Sequence, residues 1–394
     1  MRTEVGRQQR VVILMVDGLG LDYYAQSLMP TLKGWAKAGV FAEVKAVMPS
    51  VTNANNVSIS CGCFPETHGA VGNSWLDEST GQEEYLESGD LLLVPTIFER
   101  AARCGVRSAL LTSKKKTITL MQRGASLTLA AEVPDSHWTD RLGQAPSIYS
   151  AEINYWLLSA ALDVLRNQPE IGLLYVHTTD FPMHEWPPEG PQSQAHLAEL
   201  DRLMNEMART APDAAFLVTA DHGMSYKTRV WDLERALAAR GTPPVRMAIS
   251  AERDKYLRHH RGFGGTAWVH LHDQADAERV TTVLRSLAGV EKVMSRAKAA
   301  QELRLMPDRI GDLVVLGDSN TVFGHLDSAE SEVLPPTYRN HGSAYELEIP
   351  LVIHNARGAP SRDYFSHNLD LARWLYAGSE NAASQRGSLA TGER

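Results

Sequence analysis

Residues 11–16 (Val-Val-Ile-Leu-Met-Val) form an unbroken apolar run that stops at Asp17-Gly18. A strand with one face in water alternates apolar and polar side chains, so a run without alternation must be covered on both faces. That requirement limits the fold more than any other feature, because it places the strand inside a sheet flanked by helices. Residues 108–112, 172–177 and 215–219 read as further buried strands, while 29–38, 96–104 and 151–167 have helical spacing. The alternation predicts an α/β fold, a sheet with helices on both faces. Ligands of such sheets bind outside the carboxyl ends of the strands, where Asp17, Asp180 and Asp221 fall.

The pattern changes between residues 226 and 338. Strands are expected at 267–271, 290–294 and 312–316 and a helix at 276–287, a smaller α+β unit. The expected core is therefore 1–225 with 339–378, and 226–338 is an insert. Because the chain must return to the sheet at His341, the insert is expected to lie on it as a cap. The segment 379–394, rich in Ser, Ala, Gly and Glu, is expected to be disordered.

Composition excludes some classes of function. With 43% hydrophobic and 22% charged residues the chain reads as soluble and globular. A net charge of -8 argues against nucleic acid as a partner, since binding it needs a basic surface that displaces counterions. No apolar run approaches the roughly 20 residues that span a membrane, and the run at 11–16 is too short for a signal segment. Cys61, Cys63 and Cys104 cannot all pair and lack zinc-ribbon spacing, so buried thiols and a cytoplasmic location are expected. The oligomeric state is left open, a homodimer included.

Four short clusters carry metal-binding side chains: Asp17 in Val-Asp-Gly, Asp180 with His184, Asp221-His222, and His341 in Asn-His-Gly. Carboxylates and imidazoles in near-equal number suit zinc, or a similar divalent ion, better than magnesium. Asp180 and His184, four apart on a helical turn, would share a face. Asp221 and His222 would point opposite ways on an extended strand, so they would reach two ions lying on either side, or one ion if the chain turns, as Gly223 permits. Each cluster alone also fits a helix cap or a surface histidine; their combination points to a two-metal hydrolase. Thr52, on what reads as a strand-to-helix turn, supplies a hydroxyl that a divalent ion would activate as a nucleophile.

Val-Asp-Gly, Met-Pro-Ser-Val-Thr-Asn, Thr-His-Gly at 67–69, Thr-Ala-Asp-His-Gly-Met and Asn-His-Gly together resemble the alkaline phosphatase superfamily, in its nucleotide pyrophosphatase and phosphodiesterase branch. The resemblance implies one metal held by Asp17, Thr52, Asp221 and His222, and a second by Asp180, His184 and His341. Pro-Ser-Val-Thr-Asn-Ala-Asn-Asn, Gly72-Asn73, Tyr149-Ser-Ala-Glu152, Arg309-Ile-Gly-Asp312 and Leu111-Thr-Ser-Lys-Lys-Lys116 are similar to segments of the phosphonoacetate hydrolase family. That likeness implies two zinc ions and a phosphothreonine intermediate on Thr52. It also implies a small phosphonate substrate contacted by Asn73, Lys114 and Lys116; Lys115 adds a charge that the family pattern lacks.

Breaking a C–P bond expels carbon with its bonding electrons, which is feasible when an adjacent carboxylate takes up the charge. Ammonium groups aimed at that carboxylate would stabilise the transition state more than the ground state. Lys114 and Lys116, at i and i+2 on a strand end, would face the same side. His260, at the start of the insert, is a candidate to meet substrate from above, and His177 reads as a packed histidine. The rival readings are a nucleotide pyrophosphatase or phosphodiesterase, which needs an aromatic slot for a base, and a metal-binding module without turnover.

Overall fold

The computed structural model describes residues 9–254 and 261–377. A seven-stranded sheet runs in the order Val40–Lys45, Glu348–His354, Ala215–Thr219, Val11–Met15, Ile171–His177, Arg107–Thr112, Leu127–Ala130. Five strands, from Ala215–Thr219 to Leu127–Ala130, pair in parallel, and Glu348–His354 is antiparallel to both of its neighbours. The α/β expectation holds. Val11–Met15 is central and buried throughout, which is why its sequence shows no alternation. The edge strand Val40–Lys45 does alternate in burial. Helices fall where their spacing placed them, as Pro30–Ala38, Ile97–Arg103 and Glu152–Asn167. Ile97–Arg103 begins with a reciprocal cap between Thr96 and Glu99.

Register turns this sheet into a platform. Met15 lies opposite both His177 and Thr219, and Thr112 lies opposite His177. Four neighbouring strands therefore end in one row. The residues that follow, at 16–18, 113–116, 178–180 and 220–222, emerge side by side above the sheet.

A second, antiparallel sheet orders Val245–Ser250, Thr266–Leu271, Leu313–Gly317 and Val290–Ser295. Side chains of a strand alternate between its faces, and here both faces are buried. Ala267, Val269, Leu271, Leu313 and Val315 pack with Leu237, Val280 and Leu284 of the helices Leu233–Ala239 and Ala277–Ser286. Trp268, Val314, Leu316 and Ile249 pack on the other side with Met48, Val51 and Ala54. The second sheet thus rests against the turn and helix that carry Thr52. Where the chain departs and returns, Ser225–Tyr226 pairs with Arg339–Asn340.

Two expectations need correction, and two fall on residues outside those described. Of the three thiols only Cys61 is buried; Cys104 ends a helix at the surface and is exposed. Lys114 and Lys116 are not both on a strand, because Arg107–Thr112 ends earlier and Lys115–Met121 is a helix capped by Lys114. His260 and the tail at 379–394 lie outside the described residues. Among the described residues no helix is long and apolar enough to cross a membrane.

Candidate active site

Asp17 follows the central strand and is fully buried. Its amide donates to Thr178 Oγ1 (2.9 Å), and the Gly18 amide donates to Asp221 Oδ1 (3.1 Å), so one turn aligns three of the emerging loops. Gly18 has φ +75°, and a Cβ there would lie 3.1 Å from the Asp180 Cβ. The positive φ favours glycine, and the close approach of Asp180 adds to that preference. Thr52 opens the helix Thr52–Cys61, whose polar sequence is a poor helix former in isolation. Several of its buried polar groups are matched by tertiary and local hydrogen bonds. The Asn55 carboxamide accepts from the Val47 amide (2.7 Å) and donates to the Val47 and Pro49 carbonyls, and Ser58 Oγ donates to Ala54 O (2.7 Å).

Asp180 caps the helix Phe181–Glu185, and its Oδ2 lies 2.8 Å from His184 Nε2 and 3.5 Å from His341 Nε2. Thr52 Oγ1 lies 3.3 Å from His222 Nε2, which is itself 3.6 Å from Asp17 Oδ1 and 3.4 Å from Asp221 Oδ2. Asp221 and His222 therefore converge although adjacent, and φ at Gly223 is not positive. The His222 and His341 rings stack with centroids 3.6 Å apart. All six metal candidates and Thr52 thus meet in one cluster. Ligand atoms within 4.8 Å of one another come from Asp180, His184 and His341, from Asp17, Asp180 and His222, and from Asp17, His177 and Asp221.

The histidine tautomers follow from their outer bonds. His184 Nδ1 lies 2.8 Å from Arg339 O, His222 Nδ1 2.9 Å from Gly223 O, and His341 Nδ1 2.9 Å from Ser50 O. A carbonyl oxygen only accepts, so Nδ1 carries the hydrogen in all three and Nε2 presents a lone pair to the cluster. His177 has the opposite arrangement. The Asn56 amide donates to its Nδ1 (2.8 Å), so its Nε2 hydrogen points to Asp17 Oδ2 (3.3 Å). His177 is therefore a donor that orients Asp17 rather than a ligand, a role hidden while it read as a packed histidine.

The electrostatics call for cations. Burial, then Asp180 and Asp221, pushes the Asp17 carboxyl well above the usual carboxylate range. Burial pushes Asp221 up to about 6. Burial brings His222 down to about 4, and burial with the neighbouring His222 brings His341 down to about 3. Lys114 lies 3.6 Å from Asp180 Oδ1 and 3.9 Å from Asp17 Oδ2. Burial works against its ammonium, but Asp180 and Asp17 outweigh burial and raise its pKa. Asp17 Oδ1, Asp221 Oδ2 and His341 Nε2 are buried with no hydrogen-bond partner among the described residues. Anionic oxygens and neutral imidazole nitrogens facing one another are a donor set that fits divalent zinc.

The substrate candidates sit at the edge of this cluster. Lys114 and Lys116 line one cavity of about 370 Å³, together with Glu87, Lys115, Thr119, Glu132, Val133 and Asp254. Lys116 Nζ is ion-paired with the buried Asp254 carboxylate. Asn73 Nδ2 donates to both the Glu252 carbonyl and its Oε1 (3.1 Å each), so Asn73 reaches the cluster through Glu252. Glu252 Oε2 lies 3.9 Å from His341 Nδ1, and burial followed by Asp180 pushes its carboxyl well up. Glu252 stands in no motif, and nothing in the sequence marks it.

Comparison with known proteins agrees with this geometry. Residues 11–344 match the family model described as type I phosphodiesterase / nucleotide pyrophosphatase. Phosphonoacetate hydrolase from Sinorhizobium meliloti 1021, solved with phosphonoformate, superposes with a TM-score of 0.83 at 27% identity, covering 95% of this chain and 98% of that one. Murine ectonucleotide pyrophosphatase / phosphodiesterase 5 shares the fold, with a TM-score of 0.70 at 16% identity over 94% and 95% of the two chains. Bis(5'-adenosyl)-triphosphatase ENPP4 of Bos taurus is 26% identical over 243 residues, 58% of this chain and 51% of its own. The chain thus spans about half the length of the curated relatives it matches. With the site assembled from the loops that carry the matching motifs, the chain belongs to the type I phosphodiesterase / nucleotide pyrophosphatase family.

Proposed function

We propose that this chain is a zinc-dependent hydrolase that cleaves the C–P bond of phosphonoacetate, giving acetate and phosphate. The observation that carries the reading is the pair Lys114 and Lys116 on one small cavity, with the Lys114 ammonium also reaching Asp17 and Asp180. None of the described residues lining that cavity is aromatic, which favours a small anion over a nucleobase. The likeness to the Sinorhizobium meliloti hydrolase across nearly the whole chain supports the same reading.

Asp17, Thr52, Asp221 and His222 would hold one ion, and Asp180, His184 and His341 the other. Bound zinc would lower the proton affinity of a coordinated hydroxyl and neutralise charge on the phosphonyl oxygens. Thr52 Oγ attacks phosphorus and forms a phosphothreonine as the C–P bond breaks. Lys114 and Lys116 stabilise the charge that spreads into the substrate carboxylate, and the departing carbon takes a proton to become acetate. Asn73 meets a phosphonyl oxygen once its amide turns from Glu252. Water then hydrolyses the phosphothreonine and restores Thr52.

The test gives the zinc-loaded protein phosphonoacetate, a nitrophenyl nucleotide diester and a phosphate monoester, and follows phosphate or nitrophenol. Phosphonoacetate should turn over fastest, and Lys116→Ala should slow it far more than it slows the ester. Faster diester turnover, or equal losses in Lys116→Ala, would replace this reading with the phosphodiesterase one.

A further inference from the structure

A fully buried ion pair lies away from the reacting atoms. Lys227 Nζ donates to Glu346 Oε1 at 2.7 Å, and neither side chain has any exposure. Burying both charges is expensive unless every remaining polar atom is matched, and here they are. Lys227 Nζ also donates to Ser319 O (3.1 Å). Glu346 Oε1 accepts from Ser225 Oγ, and Oε2 accepts from the Ser343 amide (3.0 Å) and Ser343 Oγ (2.6 Å).

The partners of Glu346 lie on the two loops that carry stacked histidines. Its own carbonyl accepts from the Gly223 amide (2.7 Å), next to His222, and its carboxylate holds Ser343, two residues beyond His341. Ser50 extends the network to the nucleophile turn. Its hydroxyl donates to Ser343 O (2.6 Å) and accepts from the Gly342 amide (3.1 Å), while its carbonyl receives His341 Nδ1. Glu346 is thus tied directly to both the His222 and His341 loops, and it adds side-chain bonds to the backbone pairing of Ser225–Tyr226 with Arg339–Asn340.

We propose that the Lys227–Glu346 pair is a positioning element that sets the separation of the two ion sites by fixing the His222 loop against the His341 loop. This rests on the two-ion reading above. Outer partners of metal ligands commonly change affinity by about 10- to 100-fold when removed.

The test measures zinc stoichiometry and dissociation constants by chelator competition on the full chain. It compares wild type with Lys227→Met/Glu346→Met, whose apolar pair removes both charges together. The double variant leaves no buried charge unpaired, although the Ser319 carbonyl and Ser343 amide lose partners, so its metal-free melting temperature should fall by less than that of either single Met variant. At least one zinc dissociation constant should rise 10-fold or more. Ser343→Ala, which removes the hydroxyl bond to Glu346 and the cap on the Tyr345 amide but keeps the Ser343 amide bond, should weaken zinc in the same direction even where the double variant does not fold. Zinc binding by Ser343→Ala and the double variant equal to wild type overturns the brace while leaving the two-ion reading intact. A wild type that binds fewer than two zinc ions overturns both.

Discussion

Lys114 occupies ground that divalent ions would also claim, so its removal should act oppositely on the metal-free and metal-loaded protein. Its ammonium lies 3.6 Å from Asp180 and 3.9 Å from Asp17, with only 8% of its side chain exposed. At an effective dielectric of about 20, each contact is worth about 4 to 5 kcal/mol of gross attraction. Desolvation of the ammonium offsets much of this, and breaking a buried pair costs about 3 to 5 kcal/mol. An unfolding entropy of about 2 cal/mol/K per residue then implies that Lys114→Met lowers the metal-free Tm by about 5 °C. When zinc fills the site, its charge takes over the attraction to Asp17 and Asp180, and the loss should shrink to under about 2 °C. By linkage, zinc affinity should rise on the order of 100-fold, even as phosphonoacetate turnover falls. Differential scanning of dialysed and zinc-saturated protein, with chelator competition, measures both. Equal Tm losses with and without zinc, at unchanged affinity, would refute the idea that Lys114 and the ions share Asp17 and Asp180.

If the substrate is phosphonoacetate, Asp254 would compete with its carboxylate for Lys116, so Asp254→Asn should lower KM for phosphonoacetate about three- to tenfold and leave an uncharged ester unaffected; an equal change for both would show that Asp254 only shapes the cavity. His68 is fully buried and held by Ser58 and the Ala70 amide, and burial, then Arg309, brings it down to about 3. The unfolded chain protonates this residue at about pH 6.5 and the native one does not, so stability present above pH 6.5 is lost as pH falls toward 3. His68→Asn should flatten that acid limb in urea titrations, and an unchanged limb would mean that other groups govern it.

The buried strands were readable because covering both faces removes alternation, as at Val11–Met15. The edges of the sheet were not. Val40–Lys45 mixes exposed and buried positions, and Leu127–Ala130 is only four residues, too short for any period to register. Most of the site candidates converge because they follow a strand directly or lie in the short helix after one, so fold and chemistry were carried by the same residues. Lys114 and Lys116 were legible as a pair but not in geometry, since a helix begins between them. Glu252, Lys227 and Glu346 look like solvated charges in the sequence. Only tertiary packing brings Lys227 and Glu346 together, and no local pattern announces a pairing across more than a hundred residues.

The single row formed by the ends of four strands has a consequence for how the protein matures. Its first and last ligand candidates, Asp17 and His341, stand more than three hundred positions apart in the chain. They come together only after Val11–Met15 has paired with Ala215–Thr219 and that strand with Glu348–His354, non-local pairings that are intrinsically slow. On the two-ion reading, high-affinity metal capture would therefore mark completed folding. A nascent or misfolded chain offers scattered carboxylates and imidazoles, and only the finished one offers a chelate.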